Sequence, residues 1–192
     1  ELMSGGNASK LAALIFGNNS LYNPACGSCI QDSINKSLPP LTTCGDYAAY
    51  TQLDINLGEA CIYPQISYLK EMYEEGPSSI FVLPFRNVTD WIRSLTHWNR
   101  PTMRKRMTDN CEFPEYNLTK GWGTDKDFED LYCKHVKHIR QFVSRRPTLT
   151  LVEYSISRED VGDYLTLALP HMNMNGSEYG HSNAKMTAVL PK

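Results

Sequence analysis

Between Asp125 and Arg145 the chain runs for 21 residues without Pro or Gly. Phe128, Leu131, Tyr132, His135, Val136, Ile139, Phe142 and Val143 fall within a sector of about 140° at ~100° per residue, so the segment predicts one long amphipathic helix. Thr124 with Asp127 three residues on resembles a capping box in which Asp replaces Glu. Asp125, Asp127, Glu129 and Asp130 crowd the start while Arg140, Arg145 and Arg146 close the end, the order that suits a helix dipole. Pro147 stops the helix, and Thr148 to Ile156 alternates as a strand. A helix of this length before a strand disfavours an all-β sandwich.

The remaining segments follow the same rhythm. Residues 8–16 and 28–37 predict short helices, the first ended by Gly17 and the second by Pro39 and Pro40. Tyr47 to Ile55 reads as a strand, and Tyr63 to Glu75 as one amphipathic helix carrying Ile66, Leu69, Met72 and Tyr73. Ser79 to Phe85 is a continuous apolar strand of the kind buried on both faces. Thr89 to Trp98 predicts a helix with Trp91, Ile92, Leu95 and Trp98 on one side. Residues 99–123 show little periodicity and read as a long, disulfide-tethered excursion. Ser157 and Asp160 open a short helix, Tyr164 to Leu169 reads as a strand, and residues 171–192 as a poorly ordered tail or an edge strand. The expected class is α+β or α/β: a mixed sheet with packed helices, in a single disulfide-stapled domain over residues 1–192.

Six cysteines, Cys26, Cys29, Cys44, Cys61, Cys111 and Cys133, read as three disulfides in a chain of this kind. Four of them lie within residues 26–61, which suggests that this stretch is stapled to itself, leaving Cys111 to pair with Cys133. Cys26-Gly-Ser-Cys29 has redox-site spacing, but Tyr22-Asn23-Pro24-Ala25 reads as a turn where such a site needs a strand. A zinc site lacks a second C-x-x-C pair.

Asn-x-Ser/Thr triplets occur at Asn7, Asn18, Asn35, Asn87, Asn117 and Asn175. Chance placement of 13 Asn and 28 Ser or Thr gives about two, so six are a threefold excess and point to N-linked glycans on exposed sites. Sequons and cysteines together indicate the secretory pathway and an extracellular location. No apolar run approaches the ~20 residues that span a bilayer, and no apolar signal stretch opens the chain. A net charge of −2 gives no reason to expect nucleic acid.

Catalytic and metal signatures are weak. Cys133, His135 and His138 form a Cys-x-His-x-x-His string, yet His135 sits near the centre of the apolar face and Cys133 about 160° away. A core histidine with one hydrogen bond suits His135 better than a ligand, so no metal and no cofactor are expected. His97, His171 and His181 are scattered, and neither a Gly-x-Ser-x-Gly elbow nor His-Glu-x-x-His nor a Walker sequence is present. A non-enzymatic role is the expectation.

Two basic clusters are candidates for binding. Arg100, Arg104, Lys105 and Arg106 have no acid among them, and Lys134 and Lys137 lead a second run through Arg140, Arg145 and Arg146. Trp98, Phe113, Tyr116 and Trp122 flank the first cluster, the aromatic and Arg mixture of protein-binding hot spots. The same residues could instead form a solvated face and a satellite core beside the Cys111 disulfide. The candidate binding set is Trp98, Arg100, Arg104, Lys105, Arg106, Trp122, Lys134 and Lys137. Six glycans would leave Leu118 to Met174 as the longest bare interval. The expected object is a receptor-binding glycoprotein domain of a larger membrane-anchored protein, recognising a cell-surface protein or glycan. Its most specific form is the host-attachment domain of a viral envelope. The alternatives are a lumenal ligand-binding loop domain of a transporter or receptor, and a secreted hydrolase.

Overall fold

The computed structural model describes residues 26–46, 49–50, 53–57, 60–98, 102–119 and 121–172. The chain divides into two compact units. One contains residues 24–46 and 50–157, and in the other the described part is Ala49 and residues 158–172. The expected helix over 8–16 and most of the 171–192 tail lie outside the described residues, as do Asn7, Asn18, Arg100 and Asn175.

The larger unit starts with α1 (Cys26–Asn35), close to the span expected from sequence. Cys29 on this helix is bonded to Cys44 in the loop that follows. Ser33 is fully buried, and its Oγ accepts the Thr43 N–H at 3.0 Å while Thr43 Oγ1 donates to the Cys29 carbonyl at 2.7 Å. Gly27 is required here for space. A Cβ on it would lie 2.7 Å from the Asp54 carbonyl oxygen and 2.6 Å from Ile55 Cγ1. The C-x-x-C spacing is therefore not a redox pair: Cys29 reaches forward to Cys44, and Cys26 is buried beside Ile30.

Of the strand expected over Tyr47–Ile55, residues 47, 48, 51 and 52 lie outside the described residues; the described strand is β1 (Ile55–Leu57), paired antiparallel with β2 (Ala60–Ile62). The single helix expected over Tyr63–Glu75 is broken into α2 (Pro64–Ser67) and α3 (Leu69–Glu75). Tyr68, at φ −129° and ψ 24°, leaves helical geometry between them, although Ile66, Leu69 and Met72 are all buried. Glu75 at the end of α3 accepts the Leu41 N–H at 2.8 Å and so ties the Cys29–Cys44 loop to this helix.

β3 (Ile80–Phe85) pairs in parallel with β4 (Thr150–Ser155), Ile80 opposite Thr150 and Phe85 opposite Ser155. Between them run α4 (Val88–His97), α5 (Met103–Asn110), a 3-10 turn (Pro114–Tyr116) and α6 (Asp125–Ser144). Parallel strands need such a helical crossover. Phe81 stacks on Phe142 of α6 with ring centroids 6.2 Å apart, and the Arg146 guanidinium lies 3.5 Å over the same ring. The expectation that β3 is buried on both faces is overturned, since Val82 is 44% exposed and Pro84 is also exposed. The mixed α+β class stands, with the strands divided between an antiparallel and a parallel pair.

The larger correction concerns residues 99–123. The stretch read as an excursion supplies Met107, Cys111, Phe113, Tyr116, Leu118 and Trp122 to the main core, against Ile66, Phe128 and Leu131. Its apolar residues come from a helix, a turn and an isolated bridge between Phe113 and Leu118, so no single period connects them. Cys111 is bonded to Cys61 of β2, which overturns the expected Cys111–Cys133 bridge and the count of three. Cys133 lies on the outer side of α6 and keeps a free, exposed thiol. Thr124 and Asp127 form the reciprocal capping box as expected.

In the smaller unit, the strand expected over Tyr164–Leu169 is part of a helix, α7 (Val161–Ala168). Val161, Leu165 and Leu169 are buried at intervals of four, and a short apolar run does not by itself distinguish a strand from a buried helix. Among the described residues no helix is long and apolar enough to cross a membrane.

Candidate functional site

α4 begins immediately after β3, at the carboxyl end of the parallel pair. Asn87 caps it, its Oδ1 accepting the N–H of Thr89 at 2.9 Å and of Asp90 at 3.4 Å. The helix is amphipathic, yet none of its residues is fully buried; Trp91, Ile92 and Leu95 are partly covered by the main core. What remains open is a cleft of about 510 Å³ between α4 and the first turns of α6. Val88, Thr89, Ile92, Arg93, Thr96 and His97 form one wall, Asp125, Lys126 and Glu129 the other, with Arg104 of α5 between them.

Arg104 organises this region. Its Nη1 donates to Asp125 Oδ1 and its Nη2 to the Gly123 carbonyl, both at 2.6 Å, and the guanidinium stands 5.0 Å over the Phe128 ring. A second groove, of about 450 Å³, opens on its other side between Thr102, Lys105, Thr108 and Asp109 and the Gly121–Thr124 turn. Gly121 and Gly123 have φ of +90° and +141°, so this turn favours glycine on backbone grounds. Asp127 accepts the N–H groups of Gly123 and Thr124, and these bonds hold its carboxyl below the usual range. The cleft carries charges of both signs. Arg93 pairs with Asp90 at 2.6 Å, Lys126 with Asp130 at 2.9 Å and with Glu129 at 3.3 Å.

At the root of α4, Tyr132 of α6 clamps the end of β3. Its hydroxyl donates to the Arg86 carbonyl at 2.7 Å and accepts the Arg86 N–H at 2.9 Å. Arg86 Nε is buried with no hydrogen-bond partner. No family model matches this chain, and neither does any curated protein or solved structure.

The structure separates the expected binding residues. Trp122 is 8% exposed, and its Nε1 donates to the Cys111 carbonyl at 2.8 Å. It fills the core, because Phe113 and Phe128 pack against its ring at 5.6 and 4.8 Å. Arg106 is half-buried and donates to the Asn56 carbonyl at 3.3 Å, turned away from the cleft. Lys105 is exposed and paired with Asp109 at 2.7 Å. Trp98 is half-buried at the end of α4. Lys134 holds the Tyr116 carbonyl at 3.0 Å, and Lys137 is exposed one turn on. Among the described residues of the set, Arg104 alone borders both grooves. Residue-by-residue reasoning missed Arg86 and Tyr132; an Arg between an apolar strand and an Asn-capped helix was the available signal.

His135, expected as a core histidine with one hydrogen bond, is half-buried and has that one partner. Its Nδ1 lies 3.2 Å from the Tyr116 hydroxyl, and burial, together with neighbouring His138, pushes its pKa down to about 4. Among the described residues no group of three His, Cys, Asp or Glu side chains could hold a metal ion.

Proposed function

We propose that this chain is a binding domain of a glycosylated surface or lumenal protein, engaging a cell-surface receptor through the α4–α6 cleft. The two disulfides indicate an oxidising compartment. The described sequons support glycosylation: Asn35, Asn87 and Asn117 are all exposed, at the end of α1, the start of α4 and a turn with φ +61°. The observation that carries the reading is the cleft itself, where Val88 and Ile92 of α4 lie among Arg93, Arg104, Asp125, Lys126 and Glu129. Apolar area ringed by polar groups is the usual anatomy of a recognition surface. A viral attachment domain is the narrowest form of this proposal, and a loop domain of a membrane transporter or receptor its neighbour.

The test is binding of the multimerised, glycosylated chain to a panel of cells, with Ile92→Glu as the comparison. Saturable binding lost in that variant supports the reading. Binding unchanged by Ile92→Glu removes the cleft from it, and no binding to any line removes the receptor.

Arg86 favours a second reading, an enzyme or carrier for a small anionic ligand. Ligands of parallel α/β units collect outside the carboxyl ends of the strands, and helix N-termini favour anions. Arg86 follows β3 at that point with its Nε unpartnered. Calorimetric titration with inorganic phosphate and sulfate, on the chain and on Arg86→Ala, tests it; heat lost in the variant supports the site, and no heat with either anion rejects it.

A further inference from the structure

We propose that the N-glycan on Asn87 is the cover of the α4–α6 cleft, a tethered competitor that a receptor has to displace. Two residues of the sequon itself, Val88 and Thr89, belong to the cleft wall. Asn87 is exposed at the cap of α4. Its Oδ1 accepts the N–H of Thr89 at 2.9 Å and of Asp90 at 3.4 Å, which holds the amide over the helix end on the side where Thr89 enters the cleft. The cap uses only the oxygen, so a sugar on Nδ2 leaves it intact.

The cleft has the chemistry of a sugar site. Val88 and Ile92 are half-buried aliphatic side chains that suit the C–H face of a pyranose. Arg93, Lys126 and Glu129 around them suit its hydroxyl and acetamide groups, because hydrogen bonds to charged partners are the stronger ones. A tethered sugar meets the cleft at an effective concentration on the order of millimolar, so contacts too weak to capture a free sugar can keep it seated. Ile92 lies about 7.5 Å along α4 from Asn87 and His97 about 15 Å, so cover is densest at Val88 and Ile92 and thins towards His97. The regulatory half of this proposal rests on the receptor reading above, since occupancy of one sequon then sets access to the receptor face; the cover itself does not.

Hydroxyl-radical footprinting of the chain from secreting cells tests the cover, with exposed Val82 of β3 as the internal standard. Asn87→Asp removes the glycan and keeps a good helix cap. Oxidation of Val88 and Ile92 should rise several-fold in that variant, with a smaller rise at His97. Enzymatic removal of the glycans from the folded wild-type chain needs no variant and should give the same pattern. Thr119→Ala, which removes only the Asn117 glycan, should leave Ile92 unchanged. Unchanged Ile92 oxidation on loss of the Asn87 glycan overturns the cover, as does an equal rise in Thr119→Ala or a wild-type Asn87 that carries no glycan. On cells, Asn87→Asp should bind several-fold more than wild type. A footprint that rises without binding to any line supports the cover and overturns its regulatory half together with the receptor reading.

Discussion

The indole nitrogen of Trp122 donates a 2.8 Å hydrogen bond to the carbonyl of Cys111, whose sulfur is bonded to Cys61. One side chain from a glycine-flanked turn thereby ties that turn to the end of α5, which the disulfide joins to β2. Trp122→Phe keeps much of the packing against Phe113 and Phe128 but leaves the buried Cys111 carbonyl without this donor. It should cost about 1–3 kcal/mol in chemical denaturation. Trp122→Ala also opens a cavity and should cost about 3–5 kcal/mol. A loss below 0.5 kcal/mol in both, roughly the surface-substitution range, contradicts the core role assigned to this ring.

The disulfide pattern is directly checkable. Non-reducing peptide mapping should recover Cys29 linked to Cys44 and Cys61 linked to Cys111, while Cys133 alkylates in the folded protein without reductant. The two bridges are not equal in consequence. The Cys61–Cys111 loop spans 50 residues and the Cys29–Cys44 loop 15, so removal of the first should cost about 4 kcal/mol against about 3 kcal/mol for the second in the chain-entropy account. Recovery of a Cys111–Cys133 peptide would contradict the arrangement.

Stability should fall on mild acidification. His135 binds its proton less readily folded, at about 4, than unfolded, near ~6.5. The unfolded state therefore binds more protons across this window, and stability rises with pH through it. The contribution is complete above ~6.5 and is lost as pH falls towards 4, a change of up to about 3 kcal/mol. Urea midpoints at pH 7.0 and 4.5 should differ accordingly, and His135→Gln should flatten the difference. Asp127 acts in the same direction at lower pH, because its depressed carboxyl supports the α6 cap only while ionised.

Asn87 has two duties that can be separated. Its Oδ1 caps α4, whereas a glycan would attach at Nδ2. Thr89→Ala should remove the glycan, seen as a mass loss after expression in secreting cells, with little change in thermal stability. Asn87→Ala should remove the glycan and cost about 1 kcal/mol as well. Equal stability of the two variants would show that the cap contributes nothing.

Legibility differed from element to element. α6 was readable almost to its ends because its period, its capping box and its Pro147 stop agree within one segment, so neighbours had little left to decide. α4 was readable from its own period, and β3 as a strand from its continuous apolar run, although the burial of β3 was not. Tyr164–Leu169 was misread because six apolar-rich residues satisfy either period, and only the burial of Val161, Leu165 and Leu169 together distinguishes a helix. Residues 102–122 were misread because their buried side chains come from a helix, a turn and a bridge in succession, a pattern with no period of its own.

The candidate site was legible only in part. Arg104 stood out as a charge, but its burial over Phe128 and its bonds to Gly123 and Asp125 depend on where α5 meets the start of α6. Arg86 and Tyr132 lie 46 positions apart in sequence and are joined through two hydrogen bonds. Local patterns of period, cap and breaker determined α4 and α6 and their ends, since those depend on residues within a few positions of one another. Which cysteines bond, which cations face solvent and where the cleft opens were decided by tertiary packing, because each needs side chains far apart in the chain to share one volume.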